Sequence, residues 1–146
     1  MAEFELFVSK ADFKFGCAHF IAHSGFRERL HGHNYTLSVK LTGSEEICSD
    51  GYVVDFGDIK KETRAICKLL NERFLCPMKS KSMKITEEGA QLCLRCEDGA
   101  YFSFPKEDCV ELPIFHSSAE ELSHWIWCNL TRLALCLFCL ECIFIT

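Results

Sequence analysis

The chain has 146 residues, 49% apolar, 12% aromatic and 25% charged, enough for one domain with a substantial core and too few for a second. Its 16 Lys and Arg against 21 Asp and Glu leave a formal net charge of -5, which argues against a protein that holds nucleic acid mainly through phosphate contacts. The acidic opening MAEFELFVSKADF lacks both the basic start and the apolar stretch of a secretory signal. The eleven Cys are odd in number and scattered, so they read as reduced, cytoplasmic residues packed as small apolar groups. The apolar run over 133–145 is interrupted by Glu141 and falls far short of the roughly 20 residues that span a bilayer. No membrane segment is expected.

From Phe4 to His19 the pattern is that of a strand, with Phe13, Phe15, Cys17 and His19 on one face. A second strand opens at His31, where His31, His33, Tyr35, Leu37, Val39 and Leu41 alternate with polar or small residues over a dozen positions. Joined by the 21–30 loop, the two predict an antiparallel pair. Asp50-Gly51 marks a turn, and Asp55 or Asp58 can cap a helix with Ile59, Ile66, Leu69, Leu70 and Phe74 on its apolar side, closed by Pro77. Between Met83 and Phe104, Glu88-Gly89 and Asp98-Gly99 punctuate a small meander. Ser118-Ala119-Glu120-Glu121 has the form of a capping box and opens a helix carrying Leu122, Trp125, Ile126, Leu130 and Leu133. After Leu133 neither period is kept, so residues 1–135 are read as the domain and 136–146 as an atypical apolar tail.

His31 and His33 lie two apart on a strand and leave the same face, and His19 ends the same-face row of its neighbour. Three imidazoles with one position left open is the arrangement of a catalytic zinc site, in which the metal polarises a substrate oxygen. The plainer alternative is three hydrogen-bonded histidines at a sheet end. Cys93 and Cys96 are three apart on a strand and so face opposite sides, which favours packing. Cys136, Cys139 and Cys142 lack His partners and read as apolar filler.

Four segments together, Phe15-Gly16-Cys17-Ala18-His19, Leu30-His31-Gly32-His33-Asn34-Tyr35, Gly51 to Lys60 and Ser117-Ser118-Ala119-Glu120-Glu121-Leu122, resemble the 6-pyruvoyl-tetrahydropterin synthase family in order and spacing. The resemblance runs from about Phe4 to Leu133. It implies an α+β T-fold, a four-stranded antiparallel sheet with two helices on one face, whose trimers form a barrel and stack into hexamers. It further implies zinc on His19, His31 and His33, and a pterin triphosphate substrate, 7,8-dihydroneopterin triphosphate, bound between subunits.

Departures from the family pattern select the chemistry. Typical members carry a catalytic cysteine shortly before the His-Gly-His, and the loop here has none; Glu28 stands three residues before His31. Glu-x-x-His-Gly-His is similar to the glutamate-type branch, which releases 6-hydroxymethyl-7,8-dihydropterin for folate synthesis. A carboxylate there can take the outer side-chain hydroxyl proton in a retro-aldol step; a solvated loop charge is the alternative for Glu28. Where members have Leu-Asp-His the chain reads Leu70-Asn71-Glu72, leaving His116 as a substitute. The family's final strand bears a glutamate that anchors the pterin, a task suited to a carboxylate, and Glu141 is the carboxylate after the second helix. Ser117 and Ser118 match the family's hydroxyl positions beside the pterin, while Arg27 and Arg29 can meet the triphosphate. The expected activity is thus a zinc-dependent lyase with Glu28 as base. The alternatives are a 6-pyruvoyl or 6-carboxy product, with Cys17 the nearest thiol, and a non-catalytic metal-binding homologue that has lost its last strand.

Overall fold

The computed structural model describes residues 4–43, 51, 54–133 and 139–145, with the backbone alone from Leu133 onward. In chain order the elements are β1 (Phe4–His19), β2 (Ala22–His23), β3 (Phe26–Arg27), β4 (His31–Gly43), α1 (Phe56–Leu70), β5 (Arg73–Pro77), β6 (Met83–Glu88), β7 (Gln91–Cys96), β8 (Tyr101–Pro105), β9 (Cys109–Leu112), α2 (Ala119–Leu133) and β10 (Cys139–Ile145). The main sheet runs β10-β4-β1-β5-β9. Strand β4 is antiparallel to both β1 and β10, whereas β5 runs parallel to both β1 and β9.

The long pair forms where alternation predicts it. Phe13, Phe15 and Cys17 of β1 and Tyr35, Leu37, Val39 and Leu41 of β4 are all buried on one face. They meet Ile59, Ile66 and Leu70 of α1 and Leu122, Ile126 and Leu130 of α2 in one core, so both helices cover the same face, the α+β T-fold arrangement. Val8 also points into that core although it is five residues from Phe13. Strict period two forbids this, and the register shift between Ser9 and Lys14 resolves it by inserting unpaired residues into β1.

Asp55 caps α1, its carboxylate accepting from Gly57 N at 2.6 Å. The helix ends earlier than expected, because Asn71 leaves the helical region (φ -68, ψ 137) and Glu72 turns left-handed at φ 58. Phe74 therefore belongs to β5 and not to the helix, and Leu69 is exposed. Strand β5 gave no alternating signal because it is buried on both faces: Leu75 enters the core under the helices, while Phe74 and Cys76 enter a second core. That second core holds the meander of β6, β7 and β8 through Met83, Leu92, Leu94 and Cys96. Cys93 and Cys96 are both buried.

Two expectations are corrected. The sheet has five strands with a parallel part, where four antiparallel strands were expected. The tail, expected to leave the last element unfinished, supplies β10, which pairs antiparallel with β4 from Cys139↔Thr42 to Ile145↔Thr36. Near-continuous apolarity from 133 hides period two, yet β-rich residues follow a helix and the free edge of β4 offers backbone partners. Cys136 lies outside the described residues, as do the side chains of Cys139 and Cys142. Among the described residues no helix is long and apolar enough to cross a membrane.

Candidate functional site

The register of β1 and β4 sets His19 directly opposite His31 and Cys17 opposite His33. The three imidazoles converge with ring centroids 4.7, 5.0 and 4.8 Å apart, and one ligand atom from each lies within 4.8 Å of the others. Gly32 separates the two strand histidines for a steric reason: a Cβ there would sit 3.2 Å from the Cys17 carbonyl oxygen.

Two of the rings are aimed by their outer nitrogens. His19 Nδ1 donates to the Ser117 carbonyl oxygen at 2.8 Å, and His31 Nδ1 donates to the Arg29 carbonyl oxygen at 2.7 Å. A neutral imidazole that donates from Nδ1 presents a lone pair at Nε2. The Nε2 atoms of His31 and His33 lie 3.0 Å apart, and His19 Nε2 is buried without a partner. Buried polar atoms are rarely left so. Burial, and after it the neighbouring His31 and His33, hold the His19 pKa below its ordinary value, against the opposing pull of the Ser117 contact and the Glu28 charge. The residues thus fit a metal ion: a neutral buried nitrogen at the base, two more with solvent access at the rim, and an open fourth position.

Ser117 is fully buried and sits beneath His19, its hydroxyl 3.1 Å from Nδ1 and donating to the Phe20 carbonyl at 3.3 Å. Its segment is fixed by Glu121, whose carboxylate accepts from the backbone N–H groups of Phe115 (2.8 Å) and His116 (3.2 Å). The expected capping box is half formed: the Ser118 hydroxyl accepts from Glu121 N at 3.3 Å, but the Glu121 carboxylate serves the preceding strap instead of the cap. Ser117 is thus engaged with His19, while Ser118 accepts at the helix start and keeps its hydroxyl proton to donate. His116 is half-buried, with a buried Nδ1 that has no partner.

The 21–30 loop is itself a hairpin, β2 and β3 paired as Ala22↔Arg27 and His23↔Phe26 around Ser24-Gly25, with Gly25 at φ 78. Ser24-Gly25 is a turn dipeptide that could have shown it. Glu28 follows directly and closes back on Ile21: Glu28 N donates to the Ile21 carbonyl at 2.9 Å, and Ile21 N donates to Glu28 Oε2 at 3.0 Å. The carboxylate is half-buried, and its charge acts on both His19 and Tyr35. Arg27 points elsewhere, its Nε on Asp98 Oδ2 at 2.7 Å. Arg29 is exposed and contributes its carbonyl to His31.

Cys17 faces the core, and burial pushes its thiol up to about 11. A protonated, enclosed thiol is a poor nucleophile. Asn71 and Glu72 line a cavity of about 570 Å³ with Lys14, Gly16 and Asn34, and Asn71 Oδ1 accepts from Gly16 N at 2.8 Å. Glu141 lies opposite Lys40 in the β10 register.

The family described as 6-pyruvoyl tetrahydropterin synthase matches residues 8–141. The chain belongs to this family, whose enzymes are lyases of pterin synthesis. Its structure is similar to that of 6-pyruvoyl tetrahydropterin synthase from Plasmodium vivax, with a TM-score of 0.89 and 42% identity over 99% of this chain and 91% of that one. A variant of the same Plasmodium vivax enzyme, with a catalytic glutamate replaced by alanine, is equally similar: TM-score 0.89 and 41% identity over 99% and 92% of the two chains. A Methanocaldococcus jannaschii protein provisionally named 6-carboxy-5,6,7,8-tetrahydropterin synthase is 32% identical over 77% of this chain and 68% of its own length.

Proposed function

We propose that the protein is a zinc-dependent lyase that acts on 7,8-dihydroneopterin triphosphate and releases 6-hydroxymethyl-7,8-dihydropterin. The observation that carries this reading is the placement of Glu28: its carboxylate is tied to Ile21 N, two residues after His19, on the segment that runs three residues on into His31, at a centre whose His19 nitrogen is buried and unpartnered. The loop contains no thiol, and Cys17 is buried and held protonated. That a glutamate is the catalytic residue of the similar Plasmodium vivax enzyme supports the same assignment.

Zinc on His19, His31 and His33 would supply a Lewis acid for the substrate's two side-chain hydroxyls. Glu28 takes the proton of the outer hydroxyl, which becomes an aldehyde as the bond between the two hydroxyl-bearing carbons breaks. The released electron pair passes into the ring imine, and a proton returned to the inner carbon completes 6-hydroxymethyl-7,8-dihydropterin. The triphosphate leaves on the two-carbon aldehyde, so atoms and charge balance without a redox partner. His116, with its unpartnered Nδ1, is placed on the strap beside Ser117 to return or relay that proton. Ser118 and Glu141 are assigned to the pterin ring. The substrate lies between subunits of a trimer or hexamer; among the described residues β9 and β10 are the outer strands of the sheet, and such assembly would cover their edges.

Glu28→Gln tests the assignment. Turnover should fall by about 10²–10⁴-fold while metal content stays that of the parent; undiminished turnover would remove Glu28 from the mechanism. The name of the Methanocaldococcus jannaschii relative favours a 6-carboxy product as the second reading. Loss of turnover in Cys17→Ala, with Glu28→Gln active, would select it.

A further inference from the structure

Strands β2 and β3 have two residues each, and an isolated two-stranded hairpin is marginal in water. The segment that carries Glu28 must therefore be held from outside. The holding group is the turn between β7 and β8. Its conformation is closed by Gly99 N donating to the Cys96 carbonyl at 3.1 Å, with Gly99 at φ 86, and by Asp98 Oδ1 accepting from Ala100 N at 3.0 Å. From this turn the other Asp98 oxygen, Oδ2, takes Arg27 Nε at 2.7 Å, and Arg27 Nη1 donates to the Glu28 carbonyl at 3.0 Å. Glu97 Oε2 adds a bond from Gly25 N at 3.3 Å. The guanidinium is also packed, 5.9 Å from the Phe20 ring centre and 5.6 Å from that of Phe102.

We infer that Asp98 and Arg27 form a brace that positions the Glu28 carboxylate, so that both are positioning residues for proton transfer and Arg27 is not a phosphate ligand. The inference rests on the reading of Glu28 as base. Stability alone does not account for the pair: the side chain of Asp98 is 46% exposed, and exposed ion pairs contribute about 0–1 kcal/mol. Geometry does account for it. A planar guanidinium suits this task, meeting a carboxylate through one N–H and a backbone carbonyl through another in a fixed fork while its carbon lies over two aromatic rings. Arg27 fixes the Glu28 backbone, Ile21 fixes one carboxylate oxygen, and the other oxygen is left for the substrate proton.

The test is steady-state kinetics of zinc-loaded Asp98→Ala, Arg27→Lys and Glu28→Gln with 7,8-dihydroneopterin triphosphate, alongside metal content and thermal midpoint. Misplacement of a base costs about 10–100-fold in kcat. That loss is expected in both Asp98→Ala and Arg27→Lys, with KM, metal content and midpoint near those of the parent. A raised KM with unchanged kcat in Arg27→Lys would identify a phosphate contact and overturn the brace. Loss of metal or of the thermal midpoint in step with kcat would also overturn it, as would normal turnover of both variants while Glu28→Gln is inactive. If Glu28→Gln itself turns over, the reading of the base has failed, an outcome separate from these.

Discussion

Ser117 meets the Nδ1 of His19 twice, with its carbonyl oxygen at 2.8 Å and its hydroxyl at 3.1 Å. Since the hydroxyl proton goes to the Phe20 carbonyl, both Ser117 oxygens face the imidazole as acceptors. They hold the Nδ1–H tautomer and leave Nε2 as the ligand atom. Removing the hydroxyl in Ser117→Ala weakens this hold without removing it. Metal affinity is expected to fall about tenfold, measured by competition with a chelator; unchanged affinity would mean that the carbonyl alone aims the ring.

The same geometry requires His31 and His33. A His31→Ala, His33→Ala double variant should bind no metal where the parent binds about one ion per chain by the three-ligand arrangement. Acid should release the metal from the parent as the imidazoles take up protons. Elemental analysis after gel filtration reads both effects, and full occupancy in the double variant would place the metal elsewhere.

Glu72 occupies the left-handed region at φ 58, where a side chain other than glycine is strained. Glu72→Gly removes that strain but frees the unfolded chain. The strain of about 1–2 kcal/mol less the glycine cost of about 0.5–1 leaves an expected gain of about 0.5–1 kcal/mol in urea unfolding. A loss of stability would show that the carboxylate makes a contact worth more than its strain.

Burial pushes the thiols of Cys67 and Cys109 up to about 11 and that of Cys76 up to about 12, from an ordinary 9.0. The folded state keeps these protons where the unfolded chain gives them up. This contribution is complete below pH 9 and is lost as pH rises through 11 to 12, by about 3 kcal/mol for Cys67 or Cys109 and about 4 kcal/mol for Cys76. Urea midpoints should therefore fall between pH 8 and 11, and Cys76→Ala should flatten the fall even if its midpoint is lower throughout. An unflattened fall would assign the alkaline loss to other groups.

What the sequence revealed followed from period. The row from His31 to Leu41 and the row from Phe13 to His19 each keep one face buried, so alternation marked both strands and with them the three histidines. Ser118 and Asp55 were legible as caps because capping depends on local spacing. Strand β5 was not, since Phe74, Leu75 and Cys76 are buried towards two different cores. Strand β10 was hidden by the near-continuous apolarity of its sequence. The Arg27–Asp98 bond was not legible because its partners lie 71 residues apart, and no local pattern announces a pair so distant. Ser117, read as a substrate hydroxyl, proves to be buried under His19, a relation that only the packing of the 115–117 strap creates.

If Glu28 and a metal on the three histidines together break a carbon-carbon bond in 7,8-dihydroneopterin triphosphate, the zinc-loaded protein incubated with that compound should release 6-hydroxymethyl-7,8-dihydropterin, identified by mass. Release of 6-pyruvoyl-tetrahydropterin, or no turnover from folded, metal-bound protein, would refute that chemistry.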